Sequence, residues 1–153
     1  MIIDLNLKQE VYNQCKVIIE KRISVAEEAV KVAKDAAEQE ERSTAGDKYD
    51  TARAMSHLDQ DMYSKQLNET LHMQKLFNNI SPDKKLNVVE SGALVATSVA
   101  IYFMSVGLGI MDIDKIKVAA ISPISPIGSI LLGKKVGEKV LFNGKEIKIL
   151  EVI

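Results

Sequence analysis

Side chains able to do chemistry concentrate in two stretches of this 153-residue sequence. In the first, Glu38, Glu40 and Glu41 precede the run Ser43 to Asp47 ("STAGD"), and Asp50 follows it closely. Asp47 is suited to cap a following helix, and Asp50 in its first turn is favoured by the helix dipole. The three glutamates stand at a helix C-terminus, where the dipole disfavours negative charge. Two readings stand for them: a solvated helix end, or acids kept for another use. The second stretch is "ISPISPIGSILLGKKVGEKV", residues 121–140. Ser125 reads as a helix N-cap with Pro126 at the first helical position, where a missing N–H costs nothing. Ile127, Ile130 and Leu131 then share one face, and Gly133 ends the helix in a left-handed conformation.

Other reactive types are sparse. The single cysteine, Cys15, excludes an intramolecular disulfide and a cysteine-based zinc site, and fits a reduced, cytoplasmic compartment. It falls on an apolar helix face, where a free cysteine packs as a small hydrophobe. His57 and His72 stand 15 positions apart on one helical segment, too far to share a metal. Met55, Met62, Met73 and Met104 read as core filler. No glycine-rich phosphate loop, Ser-His-Asp set or nucleotide fingerprint is present.

Charge excludes a strongly basic nucleic-acid binder: 20 Lys and Arg face 21 Asp and Glu, a formal net charge of −1. The distribution is uneven. Residues 1–82 hold 11 basic and 14 acidic side chains (−3), and residues 83–153 hold 9 and 7 (+2). No basic segment followed by a long apolar stretch opens the sequence, so no signal peptide is expected. Residues 91–111 are free of charge for 21 positions, long enough to span a bilayer. The four Ser/Thr, three Gly and flanking acids favour two adjacent buried strands and no membrane contact.

Positioning the two stretches requires two kinds of element. Residues 8–41 lack Gly and Pro and predict one long helix. A heptad places Val11, Ile18, Val25 and Val32 in one seam register and Cys15, Ala29 and Ala36 in the other, with Arg22 the exception. After the tip at about 41–48, a second helix runs to Asn78 with Ala52, Met55, Leu58, Met62, Leu67, Leu71 and Phe77 inward. Two such helices form an antiparallel hairpin with arms roughly 50 Å long. "NNISPDKK" breaks the helical period at Pro82. Strands are predicted near 88–97, 99–107, 116–121, 138–143 and 146–153, with a helix at 126–132 and a type I′ turn at Asn143-Gly144. The expected fold is α+β, with a coiled-coil hairpin at 1–80, a linker at 81–87 and a small, mostly antiparallel sheet domain with one helix at 88–153.

This arrangement, with Ile-Ser, Ser-Pro-Ile and Leu-Leu-Gly-Lys-Lys-Val-Gly in residues 121–137, resembles the Gre-type bacterial transcription elongation factors. Tyr49, Ala52 and Arg53 reproduce that family's Tyr-x-x-Ala-Arg at the start of the second helix. The resemblance implies an FKBP-like C-terminal domain that grips the rim of the RNA polymerase secondary channel through Ile124, Ser125, Pro126 and Ile127. It implies a coiled coil that enters the channel, with Tyr49 and Arg53 supporting its tip. It implies further that nascent RNA and DNA are met only within that complex, and a monomer or weak dimer is expected. Tip acids in the family help to hold a second Mg²⁺ in the polymerase active site while backtracked RNA is cleaved, so the factor is no enzyme and keeps no cofactor of its own. Two-metal hydrolysis needs such hard-oxygen ligands.

The tip departs from the family pattern. Counting back from Tyr49 without gaps, the family's acidic pair falls on Arg42 and Ala45, neither able to ligate a metal. Glu41 and Asp47 flank the turn and are the leading substitutes, followed by Glu40 and Asp50. Three functions follow: cleavage stimulation, channel occupancy without cleavage, or a scaffold built on the coiled coil. Prolyl isomerisation is not expected, because only Tyr102, Phe103 and Phe142 are available to line a pocket and the sequence has no Trp.

Overall fold

The structure is a computed structural model that describes residues 3–41 and 46–153, with the side chains of residue 40 and residues 46–50 outside the description. Helix α1 (Leu5–Glu41) and helix α2 (Gly46–Phe77) are followed by β1 (Leu94–Thr97), β2 (Ile101–Met104), β3 (Gly109–Ile113) and β4 (Ile116–Ile121). Helix α3 (Pro126–Leu131), β5 (Lys139–Phe142) and β6 (Lys145–Val152) complete the chain. The fold is α+β. Among the described residues no helix is long and apolar enough to cross a membrane.

Helix α1 starts earlier than its uninterrupted helical pattern, because Asp4 caps it: the Leu7 N–H donates to Asp4 Oδ1 at 2.7 Å. The chain divides into two compact units. One contains residues 1–18 with 75–153, and the other residues 19–74. The first turns of α1 belong with the sheet because their inward side chains are buried there: Leu7, Val11 and Cys15, with the lysine Lys8 beside them.

In the sheet-bearing unit, strands run in the order β3-β4-β2-β1-β6-β5. The expectation of a mostly antiparallel sheet holds for four of the five pairings; β2 and β4 are parallel. The parallel pair arises because β3, expected to be loop, forms the outer strand and returns through a hairpin to β4. Its turn residues Asp114 (φ 49°) and Lys115 (φ 71°) adopt positive φ without the Asn-Gly or Asp-Gly pair that announces such turns. Asn143 (φ 49°) and Gly144 (φ 77°) make the expected β5–β6 turn.

Alternation along the strands supplies two apolar faces. Val95, Met104, Val140, Ile147 and Ile149 face Leu131 of α3, with Ile127 and Ile130 packed alongside. Leu94 and Phe103, of opposite parity, are fully buried on the other side. Cys15 Sγ lies 4.0 Å from Met111 Sδ, which seats α1 against β3. Tyr12 stacks on Phe77 with ring centroids 4.6 Å apart. Burial pushes the Cys15 thiol up to about 12, so it stays protonated and packs as a hydrophobe.

Ser105 is 5% exposed and its hydroxyl has no partner among the described residues. Ser105→Ala is therefore expected to be neutral or to stabilise by up to about 1 kcal/mol, read as the urea midpoint. A fall of similar size would mean that the hydroxyl has a partner.

In the unit formed by residues 19–74, the buried stripe of α1 passes through Ile19, Ala33 and Ala37. Ile23, Ala26 and Val30 fill the intermediate positions. The heptad expectation fails here: Val25 is 61% and Val32 58% exposed, and Ala36 is exposed. A strict seven-residue spacing drifts by about 20° per heptad around a straight helix, so the seam passes to the neighbouring positions. Helix α2 differs similarly. Ala52 and Leu67 are partly covered as expected, but Met55, Leu58, Met62 and Leu71 are exposed while Ser56, Gln60, Tyr63 and Thr70 are partly covered. Met55 and Met62 are thus not core filler, whereas Met104 is fully buried.

Candidate functional site

The segment from Ser122 to Ser129 is tied by hydrogen bonds within itself and leaves an apolar side chain outside. Ser122 O accepts from the Ser125 N–H at 3.1 Å and from Ser125 Oγ at 2.6 Å. Ser122 Oγ accepts the Ile124 N–H at 3.2 Å. Ser125 has extended backbone, and its Oγ accepts the Gly128 N–H at 3.1 Å, the capping bond anticipated from sequence. Pro126 occupies the start of α3, and Ser129 Oγ donates to Pro126 O at 3.0 Å.

Within this frame Ile124 is 92% exposed and Pro126 is exposed. Ile127 is half-buried against the sheet core and Ser125 spends its hydroxyl internally. The four residues expected to bind a partner are therefore adjacent but unequal. Ile124 and Pro126 face outward, and Ser125 and Ile127 hold them there. Removing the cap with Ser125→Ala is expected to cost about 1 kcal/mol, measured by chemical denaturation, with the fold retained. No loss would mean that water replaces the hydroxyl without penalty.

Gly128, which the sequence alone presents as an ordinary helical position, decides the close approach. A Cβ there would stand 2.0 Å from Ser122 O and 2.8 Å from Ser125 Oγ. The available signal was a glycine inside the first turns of a six-residue helix, where it weakens helix propensity and needs a packing reason. Gly133 has positive φ (83°) as expected, yet its N–H donates to Val89 O, and the Leu132 N–H closes the helix on Gly128 O.

At the other candidate stretch, Glu41 Oε1 lies 3.3 Å from His57 Nε2, each side chain about half-exposed. His57 thus meets the leading tip acid, a juxtaposition that the separation of the two residues in sequence does not announce. At that exposure such a pair contributes at most about 1 kcal/mol. Glu38 and Arg53 are exposed. Asp47, Tyr49 and Asp50 lie on α2 and Glu40 on α1, but their side chains are outside the described residues, as are Arg42 and Ala45 altogether. Among the described residues no three His, Cys, Asp or Glu side chains group closely enough to hold a metal.

No family model, curated protein or solved structure matches this chain.

Proposed function

We propose that this protein is a cytoplasmic bacterial RNA polymerase-binding factor of the Gre type, with an FKBP-like sheet unit that docks on the polymerase and a helix pair that enters its secondary channel. The observation that carries this reading is the internally hydrogen-bonded Ser122–Ser129 turn presenting Ile124 and Pro126 to solvent. An isoleucine held 92% exposed by a fixed turn is an apolar anchor without a cover. Covering it on a partner contributes on the order of 2 kcal/mol with no ordering of the loop to offset.

At the tip, Glu41 supplies carboxylate oxygens of the kind a hard divalent cation accepts, with Glu40, Asp47 and Asp50 near it in sequence. Any Mg²⁺ belongs to the polymerase, and the protein holds neither metal nor cofactor of its own. Arg42 and Ala45, standing at the positions of the family's acidic pair, favour a second version of the reading. In that version the helix pair occupies the channel and modulates elongation without stimulating RNA cleavage.

A different reading, a coiled-coil scaffold, draws on the exposed Val25, Val32, Met55, Leu58 and Met62 of the helix pair. Binding separates the two. Labelled protein titrated with bacterial core RNA polymerase is expected to bind, and Ile124→Glu is expected to weaken binding at least tenfold with its thermal unfolding unchanged. Absence of binding together with concentration-dependent self-association would favour the scaffold.

A further inference from the structure

The sheet ends at β3, whose outer edge has no neighbouring strand among the described residues. Asp114 (φ 49°) and Lys115 (φ 71°) both adopt the left-handed conformation, which makes the β3–β4 connection a two-residue type I′ turn. Such a turn closes on a hydrogen-bonded pair, here Ile113 with Ile116. Hydrogen-bonded and non-bonded pairs alternate along an antiparallel ladder, so Met111–Val118 is bonded while Ile110–Ala119 and Asp112–Lys117 are not. The main-chain N–H and C=O groups of Ile110 and Asp112 therefore point away from β4. Neither residue makes a main-chain bond outside the β3–β4 ladder among the described residues. Their side chains are exposed as well, Ile110 at 74%.

An open cleft of about 320 Å³ adjoins this edge, within the sheet-bearing unit. Glu10, Asn13, Gln14 and Val17 of α1 line one side of it, and Asp112 and Asp114 line the other. No residue of β4 lines it, so it opens at the outer edge of the sheet. All three acidic residues are exposed, and none forms an ion pair among the described residues. Lys115 stands in the turn and Lys117 opposite Asp112, but neither lines the cleft. Val17, 58% exposed, supplies an apolar wall.

We propose that the outer edge of β3 takes a further strand from a partner protein, an extended segment in which apolar and basic side chains alternate. Main-chain pairing with Ile110 and Asp112 supplies the affinity, and side-chain parity sets the specificity. The incoming residue opposite Ile110 shares its face, where an apolar side chain covers it. Incoming residues opposite Met111 and Ile113 point to the α1 side, the side on which Met111 meets Cys15. There a lysine or arginine faces Glu10 while its aliphatic stem lies along Val17. A second copy pairing through this same edge would set its own Glu10, Asp112 and Asp114 against these, and like charges oppose that. The proposal uses none of the residues assigned to polymerase docking.

Amide hydrogen exchange of the full chain, followed by NMR with an excess of a capped heptapeptide of alternating lysine and valine, tests this. The Ile110 and Asp112 amides are expected to exchange roughly tenfold more slowly with the peptide, whereas Met111, already bonded to Val118, changes little. The same peptide with glutamate in place of lysine is expected to leave all three unchanged. Glu10→Lys, at an exposed helix position, is expected to weaken binding of the fluorescently labelled lysine peptide by about fivefold with thermal unfolding unaltered. No slowing with the lysine peptide, equal slowing with the glutamate peptide, or undiminished binding by Glu10→Lys overturns the proposal. Slowing at Ile110 and Asp112 on raising the protein concentration alone assigns the edge to a second copy and overturns it as well. The exchange measurement uses the unmodified protein, so it decides the matter even if Glu10→Lys fails to fold.

Discussion

Gly128→Ala is expected to destabilise the protein by about 3 kcal/mol or more and to abolish partner binding, although it adds one methyl group and improves helix propensity. The added Cβ would meet Ser122 O at 2.0 Å and the Ser122 carbonyl carbon at 3.0 Å. Backbone cannot yield as the end of a flexible side chain can, and Ser125 holds this carbonyl through both its N–H and its hydroxyl. Relief requires α3 to move off the turn, which breaks the Ser125 cap and releases Ile124. Gly107→Ala is the control, since a Cβ there meets nothing within 4 Å and the backbone has no positive φ. Denaturant midpoints of the two variants read the difference. Equal midpoints would mean that the turn is not the rigid element described.

Phe77→Ala has the other large effect. Phe77 is 1% exposed and stacks on Tyr12 with an interplanar angle of 17°. Truncating a buried phenylalanine costs about 3–5 kcal/mol through lost transfer and a residual cavity. The aromatic pairing adds about 0.5–1.5 kcal/mol. Calorimetry is expected to show Tm lowered by roughly 10 °C or more, against a small shift for the half-exposed neighbour Leu76→Ala. Similar shifts for the two would show that the end of α2 is not anchored through Phe77.

These sites differ in how far the sequence reveals them. Phe77 was legible as an inward residue, as were the Ser125–Pro126 cap and the Asn143-Gly144 turn, because each depends on chemistry within a few residues. The strand β3 was not, since its Asp114–Lys115 turn lacks the usual glycine and residues 99–107 read as one continuous strand. The outward positions of Val25 and Val32 were hidden by a seven-residue spacing that matches the composition but not the pitch of a straight helix. The burial of Lys8, the packing of Gly128 and the Glu41–His57 contact depend on partners brought close only by tertiary structure, beyond the reach of local pattern. At the candidate site, Ile124, Ser125, Pro126 and Ile127 are singled out as a binding group only by the family resemblance, while the cap that Ser125 makes is legible from local chemistry. Which of the four face solvent required coordinates.

Transcript cleavage and extension in a stalled, backtracked elongation complex of bacterial RNA polymerase, with Mg²⁺ and purified protein, is the most direct test. The account predicts that the protein binds the complex and changes the rate of cleavage or of subsequent extension, and that Ile124→Glu removes the change. Faster release of short 3′ fragments would assign Glu41 and its neighbours a supporting role at the polymerase metal. Unchanged or slower cleavage with the protein bound and extension altered would assign channel occupancy. An elongation complex that neither binds the protein nor changes either rate would contradict the polymerase reading.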